Sequence, residues 1–271
     1  MARRRLDTEL VRRGFVGSLE EAGQEIAAGA VLVRGAPATK ASSMIGEDEA
    51  VEIRPHIGRF VSRGGEKLDA ALDRFGIVVA DRTALDAGAS TGGFTDVLLR
   101  RGASHVTAVD VGYGQLAWSL RSDPRVTTLD RTNVRSLGVE DLPHRPQVVV
   151  ADVSFISLTL VAPALAAVSA PVADHVYLVK PQFEAARDGV GKGGVVRDPD
   201  VWASTVRAVA DAAVGIGLAP RGVMPSPVRG PAGNVEFLLW TSLGWPDAPT
   251  ARVDDQIARA VDEARTLGGA A

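Results

Sequence analysis

Apolar runs alternate with amphipathic stretches along most of the chain after residue 82. Short runs rich in Val, Leu and Ala, such as "TALDAG", "VTAVDV" and "QVVVADVS", have the length and composition of buried strands. Between them lie segments with apolar positions at helical spacing, such as residues 157–168 and 200–216. This alternation predicts a doubly wound α/β sheet, in which ligands bind at the carboxyl ends of the strands.

The start of the chain follows a different pattern. Two amphipathic stretches, "RLDTELVRRGF" and "SLEEAGQEIAAG", precede two short β-type runs, "AVLVRG" and "EAVEI". So few elements make only a small core, which indicates an appended α+β module. Pro55 and Gly58 mark a linker behind it. We therefore expect a module over residues 1–54, a linker over 55–63 and a larger domain over 64–271.

One uncharged run, residues 153–173, approaches the length of a membrane span. Pro163 and Pro171 interrupt it, and Ser, Thr and Ala fill much of it. A strand end followed by a buried helix explains the run better, so we expect no membrane-spanning segment.

Composition narrows the chemistry. The 271 residues are 46% hydrophobic and include no cysteine, which excludes disulfides, thiolate metal sites and a cysteine nucleophile. The charged start "MARRRLDTEL" lacks the apolar core of a signal peptide. We therefore expect a cytoplasmic protein with neither a metal nor a membrane among its partners.

The net charge of -3 argues against a strong general binder of nucleic acids. Arginines nevertheless concentrate near the start, at Arg3, Arg4, Arg5, Arg12 and Arg13. This cluster is either the solvated basic end of a helix or a surface that contacts RNA.

A glycine-rich turn, "LDAGASTGGFTD", follows the first strand of the larger domain. Glycines let the backbone approach a ligand, and the next helix begins with free N–H groups. A dinucleotide fingerprint needs glycine where Ser90 stands, whereas Asp86 just before the glycines suits S-adenosylmethionine (SAM). We predict SAM over NAD, with a purely structural glycine turn as the remaining alternative. A second glycine-rich stretch, residues 189–194, fails the P-loop pattern and is interpreted as a mobile lid.

Two carboxylates extend the predicted cofactor site. Asp110 ends the second strand, where it can accept both hydroxyls of a ribose. Asp130 follows the third strand, where it is either an adenine-side contact or part of a turn. The predicted cofactor-binding residues are Asp86, Gly88, Ser90, Thr91, Gly92, Gly93, Phe94, Asp110 and Asp130.

The sequence points less directly to the chemical group that is methylated than to the cofactor. The absence of cysteine excludes carbon-5 methylation of pyrimidines, and residues 152–155, "DVSF", keep the acid and the aromatic of amino-methyltransferases without their prolines. Lys180 and Asp152 end neighbouring strands on the ligand side of the sheet. Glu236 begins another apolar strand, and Lys67 opens a helix. Taken singly, each charge can be a strand-end ion pair or a solvated helix end.

Together, these four charges resemble the Lys-Asp-Lys-Glu tetrad of the FtsJ-like 2′-O-methyltransferases, in the same order. The resemblance implies that Lys180 faces a ribose hydroxyl and assists its deprotonation. It also implies that Lys67 is the second cation that lets Lys180 give up its own proton, while Asp152 and Glu236 orient the lysines.

The start of the chain, "RLD..L...G...S...A...I..G.V.V.G....K.S", resembles the S4 domain, a small RNA-binding module. An S4 module fused to an FtsJ-like domain is the arrangement of the TlyA family, also labelled hemolysin A, whose signatures are similar to "VSRGGEKL", "LVKPQFE" and "GNVEFLLW" here. The resemblance implies a Rossmann-like, mostly parallel seven-stranded sheet and SAM-dependent 2′-O-methylation of cytidine in 16S and/or 23S ribosomal RNA. It also implies RNA contacts at Arg4, Arg5 and Lys40. Two alternatives stay open: a membrane-lytic protein, and an RNA-binding protein with a silent methyltransferase domain.

Overall fold

The chain forms two compact units, Met1–Arg63 and Gly64–Ala271. Each unit has a hydrophobic core of its own. The computed structural model describes residues 3–17, 19–27, 30–38, 40–53, 59–245 and 253–268. The predicted linker residues Pro55 and Gly58 lie outside this part of the chain.

The first unit packs two helices against short strands. Its core contains Leu6, Leu10, Ile26, Val31 and Ile45, all nearly inaccessible to solvent. The strands form a β1–β4 pair and a sheet with the order β3-β2-β5. The elements are β1 (Arg3–Arg5), α1 (Leu6–Arg12), α2 (Leu19–Ala27), β2 (Val31–Val33), β3 (Ala36–Pro37), β4 (Met44–Gly46) and β5 (Val51–Ile53).

The interpretation of the arginine run as a helix end is wrong for Arg3–Arg5. These residues form strand β1, antiparallel to Met44–Gly46. Arg12 and Arg13 do lie at the end of a helix. The pairing of β1 joins segments that are distant along the chain, so no local pattern of apolar positions could predict it.

The second unit is an α/β domain with helices on both sides of a sheet. Its elements are α3 (Gly64–Phe75), β6 (Thr83–Ala87), α4 (Gly93–Arg100), β7 (His105–Val109), α5 (Trp118–Arg121), β8 (Val126–Leu129), β9 (Val148–Ala151), α6 (Leu158–Val168), β10 (Ala173–Val179), α7 (Pro181–Glu184), α8 (Pro199–Gly215), β11 (Ala219–Pro225), β12 (Phe237–Leu243) and α9 (Val253–Gly268).

The seven strands have the order β11-β12-β10-β9-β6-β7-β8. Neighbours from β8 to β10 are parallel, whereas β12 is antiparallel to both β10 and β11. The predicted doubly wound, mostly parallel sheet is therefore confirmed. Strands β6 and β9 are adjacent at its centre, where the strand order reverses, so the crevice for a ligand lies beyond their carboxyl ends.

Helix α5 begins only at Trp118, after Ala117, whose N–H donates to Thr91 O at 3.2 Å. Strand β11 was missed because its prolines lower strand propensity; it lies at the edge of the sheet, where proline is tolerated.

The uncharged run 153–173 contains a turn, helix α6 and the first residue of β10. The predicted buried helix is therefore confirmed, whereas the strand expected at the start of the run already ends at Ala151. No helix in the described ranges is long and apolar enough to cross a membrane.

Candidate active site

Two ion pairs, one buried and one partly exposed at its carboxylate, lie at the carboxyl edge of the central sheet. Lys67 Nζ is 2.5 Å from Glu236 Oε2, and Lys180 Nζ is 2.6 Å from Asp152 Oδ1. The Lys67, Glu236 and Lys180 side chains are at most 10% exposed, and Asp152 is 24% exposed. A buried charge is stable only with a partner, so the contact between Lys67 and Glu236 explains two buried charges, and the contact with Asp152 explains the buried lysine at the end of β10.

Strand register brings the two pairs to one edge. Val179, the last residue of β10, pairs with Phe237, the first residue of β12. Lys180 and Glu236 are the next residues beyond this pair, so their backbones lie side by side. On the other side of β10, Tyr177 pairs with Ala151, which precedes Asp152.

Lys180 has further neighbours that the sequence did not single out. Its Nζ donates to Ser154 Oγ at 2.8 Å and lies 5.8 Å from the centroid of the Phe183 ring. The Phe155 ring lies 4.9 Å from the Phe183 ring, tilted by 49°, and Phe155 has a φ of 63° and is 90% exposed. The only sequence signal for Ser154 and Phe155 was the weak "DVSF" pattern.

Glu236 is held by the segment before β12. Its backbone oxygen accepts from Ser226 N at 2.8 Å, and an added Cβ on Gly230 would come within 2.6 Å of its Oε1. Asn234, two residues earlier, donates to Gly194 O at 2.9 Å and accepts from Val196 N at 3.0 Å. Buried Asn234 thus connects the segment that carries Glu236 to the end of the glycine-rich stretch predicted as a lid.

Asp86 is fully buried at the end of β6. Its Oδ2 accepts from Thr95 Oγ1 at 2.7 Å, whereas its Oδ1 has no hydrogen-bond partner among the described residues. Burial raises the pKa of Asp86 to about 7, and the charges of Asp152 and Asp110 act in the same direction. A buried oxygen without a partner is a natural acceptor for a donor on a bound ligand.

The glycine-rich turn serves packing as well as ligand access. An added Cβ on Gly88, whose φ is 83°, would lie 2.5 Å from the backbone oxygen of Asp152. Gly92 precedes helix α4 with a φ of 100°. Gly93 and Phe94 are buried in the first turn of that helix, where backbone N–H groups lack helical partners. Thr91, whose O accepts from Ala117, completes the turn.

Asp110 is held in place by the backbone. Its two oxygens accept from Ser90 N at 2.8 Å and Gly112 N at 2.7 Å. Each carboxylate oxygen keeps acceptor capacity for a hydroxyl group. Asp130 is instead paired with an arginine, since Arg121 Nη2 lies 2.9 Å from its Oδ2. The loops that carry Asp110 and Asp130 are joined by a hydrogen bond from Thr132 N to Asp110 O at 2.9 Å.

The predicted RNA contacts of the first unit are only partly available. Arg4 Nη1 lies 3.9 Å from Glu9 and 3.6 Å from Glu47, and Arg5 contacts Asp7 at 2.5 Å. Lys40 is exposed. Acidic partners in the same unit therefore offset much of the charge of the arginine cluster.

Comparison with known proteins agrees with this geometry. The model of the FtsJ-like methyltransferase family matches residues 60–243, and the S4 domain model matches residues 4–51. The chain is 52% identical, over 97% of its length and 99% of the other, to a Mycobacterium tuberculosis protein named 16S/23S rRNA (cytidine-2′-O)-methyltransferase TlyA. The chain belongs to the TlyA family of FtsJ-like methyltransferases.

Other TlyA-family proteins carry different names. Hemolysin A of Brachyspira hyodysenteriae is 39% identical, over 86% of this chain and 98% of that protein. A solved structure of a hemolysin candidate from Streptococcus thermophilus has a TM-score of 0.78 and 38% identity, and covers 99% of this chain and 98% of that one. The prediction of a methyltransferase enzyme with an S4 module is confirmed. In this TlyA-family chain, the four residues predicted as a tetrad form the two ion pairs.

Proposed function

We propose that the protein is a SAM-dependent 2′-O-methyltransferase that acts on cytidine in 16S and/or 23S ribosomal RNA in the cytoplasm. The observation that carries the proposal is the two lysine–carboxylate contacts at the carboxyl edge of the sheet, between Lys180 and Asp152 and between Lys67 and Glu236. The name of the Mycobacterium tuberculosis relative and the S4 match support ribosomal RNA as the substrate.

SAM fits the residues at the ends of β6 and β7. The buried Asp86 oxygen without a partner suits a donor on the cofactor, and Asp110 is preoriented for ribose hydroxyls. The turn from Gly88 to Phe94 would contribute backbone N–H groups. Arg121 already pairs with Asp130, so the proposed adenine-side contact would be shared with that arginine. When bound, SAM supplies a methyl group on a sulfonium sulfur, which keeps the electron pair of the broken carbon–sulfur bond.

The acceptor needs a group that takes up a proton. We assign this role to Lys180 in its uncharged form: its amine would accept the proton of the ribose 2′-hydroxyl while the oxygen bonds to the methyl carbon. Asp152 holds Lys180 in place. Lys67 and Glu236 supply a second cation and a second acid at the same edge, which keeps the local charge balanced.

RNA would be captured at two places. Lys40, with Arg4 and Arg5, would contact the phosphate backbone through the S4 unit. The exposed ring of Phe155, which contacts Phe183 beside Lys180, offers a face to an unstacked base. This aromatic pair lies close to the lysine that we assign to the ribose.

The decisive experiment is methyl transfer from labelled SAM to isolated small and large ribosomal subunits, with the methylated nucleotides mapped. We expect 2′-O-methylcytidine in the wild-type reaction and none with Lys180→Ala. A protein that binds SAM but labels neither subunits nor free ribosomal RNA would overturn the substrate. Leakage of dye from lipid vesicles on addition of the protein would instead support the lytic alternative.

A further inference from the structure

Two side chains of one short turn contact the amine of Lys180. Asp152 Oδ1 lies 2.6 Å and Ser154 Oγ 2.8 Å from Lys180 Nζ. Both acceptors belong to the turn after β9, whereas Lys180 follows the neighbouring strand β10. The turn is therefore shaped around the amine of Lys180.

Among the described residues, the Ser154 hydroxyl has one hydrogen-bond partner, Lys180, and Ser154 itself is exposed. Ser157, three residues later, is a structural serine by contrast, because its Oγ accepts from Thr159 N at 3.1 Å and begins helix α6. Of these two serines, only Ser154 forms a hydrogen bond to the lysine of the proposed reaction centre.

The turn is held in an unusual conformation. Phe155 has a φ of 63°, which is costly for a bulky residue and persists only where the surroundings impose it. Glu184 supplies part of that constraint, since it accepts from Ser157 Oγ at 2.5 Å and from Leu158 N at 2.8 Å. Glu184 lies just after Lys180 along the chain, so this contact fixes the two loops against each other.

The hydrogen bond to Ser154 restrains the amine in a way that the contact with Asp152 does not. The contact with Asp152 leaves the amine free to rotate, whereas the bond to Ser154 fixes one N–H and thereby helps to direct the lone pair of the uncharged amine. Precise direction matters because a proton acceptor must lie within hydrogen-bond reach of the hydroxyl it serves.

We propose that Ser154 is a positioning residue of methyl transfer, whose hydroxyl holds Lys180 Nζ against Asp152 so that the free side of the amine faces the ribose. This inference rests on the proposed function. It assigns a role to a side chain outside the Lys-Asp-Lys-Glu tetrad.

The test compares Ser154→Ala, Ser154→Thr and Ser157→Ala with the wild-type protein. We expect Ser154→Ala to lower kcat at least about tenfold, with the KM for RNA and the Kd for SAM within twofold, and Ser154→Thr to recover most of kcat. The unfolding midpoint should stay unchanged in Ser154→Ala and fall in Ser157→Ala, which loses a helix cap. A kcat of Ser154→Ala within twofold of wild type would overturn the proposal.

A second measurement needs neither RNA nor SAM. The rate at which an amine-reactive reagent labels Lys180, followed by mass spectrometry, should rise at least about threefold in Ser154→Ala and return in Ser154→Thr, because the amine loses one of two restraints. An unchanged labelling rate would exclude an action through Lys180. If even the wild-type protein transfers no methyl group, the proposed function fails, and the labelling rates alone decide whether Ser154 restrains the lysine.

Discussion

Lys67 Nζ and Glu236 Oε2 lie 2.5 Å apart although their residues are separated by 169 positions of sequence. The contact joins the first turn of α3 to the residue before β12. Both side chains are buried, so each charge depends on the other for its stabilisation. The pair is therefore both a catalytic candidate and a tertiary contact of the larger unit.

We expect the single substitutions Lys67→Met and Glu236→Gln each to lower the free energy of unfolding by about 3 kcal/mol, because each leaves a buried charge unpaired. The double variant Lys67→Met/Glu236→Gln should lose clearly less than the sum. Urea unfolding of the four proteins measures this coupling. Strictly additive losses would show that the pair contributes no mutual stabilisation.

Lys180→Ala should lower methyl transfer at least about a hundredfold while SAM binding stays within threefold, because the lysine is assigned to the proton and not to the cofactor. Single-turnover assays and calorimetry separate the two effects. Arg265→Ala, which removes an exposed positive charge from helix α9 of the same unit, is the control and should keep wild-type activity. Normal transfer by Lys180→Ala would leave Lys180 with a purely structural ion pair.

The pKa of Asp86, raised by burial to about 7 from an ordinary 3.8, makes a prediction about stability. The folded protein holds this proton more tightly than the unfolded chain, so the contribution of Asp86 to stability decreases as pH rises from about 4 to about 7. Asp86→Asn should remove that decrease.

Between pH 5 and pH 8, the free energy of unfolding of Asp86→Asn minus that of the wild type should increase by on the order of 3 kcal/mol. Denaturant titrations at both pH values measure it. Asp81→Asn, at an exposed position, should run parallel to the wild type. The same parallel behaviour in Asp86→Asn would mean that Asp86 is charged throughout this range.

Phe155→Ala should reduce kcat/KM for RNA about tenfold, since stacking of a base on an aromatic ring contributes about 1–3 kcal/mol. Stability should not fall, because the ring is 90% exposed and alanine keeps the same Cβ at the φ of 63°. Phe155→Tyr keeps the ring face and should retain most activity. Equal activity of all three proteins would exclude a stacking role.

Lys40→Ala should weaken RNA binding and reduce the slope of log affinity against log salt concentration by about one, as expected for one lost phosphate contact. Arg5→Ala should change the slope less, because Asp7 already offsets that charge. Filter-binding titrations at several salt concentrations test both. A larger effect of Arg5 than of Lys40 would mean that RNA displaces Asp7.

Several features of the larger unit could be predicted from local patterns. The apolar run up to Val179, the glycine-rich turn from Gly88 and the buried helix at 158–168 each produce a periodicity or composition within one short window. Residues whose structure depends on distant partners were missed. Strand β1 pairs with β4, which is distant along the chain. Ser154 becomes a candidate only through its hydrogen bond with the amine of Lys180.

The sequence by itself determined the kinds of elements, their order and the presence of charged residues at strand ends, because helix and strand periods are local properties of the chain. Resemblance to the FtsJ-like tetrad then named four of those charges as a set. Only the tertiary structure decided their pairing, since the register of β12 against β10 sets Glu236 beside Lys180 while Lys67 reaches it from α3. Burial at that edge, which excludes water from the charges, is a property of the packed sheet and not of any single segment.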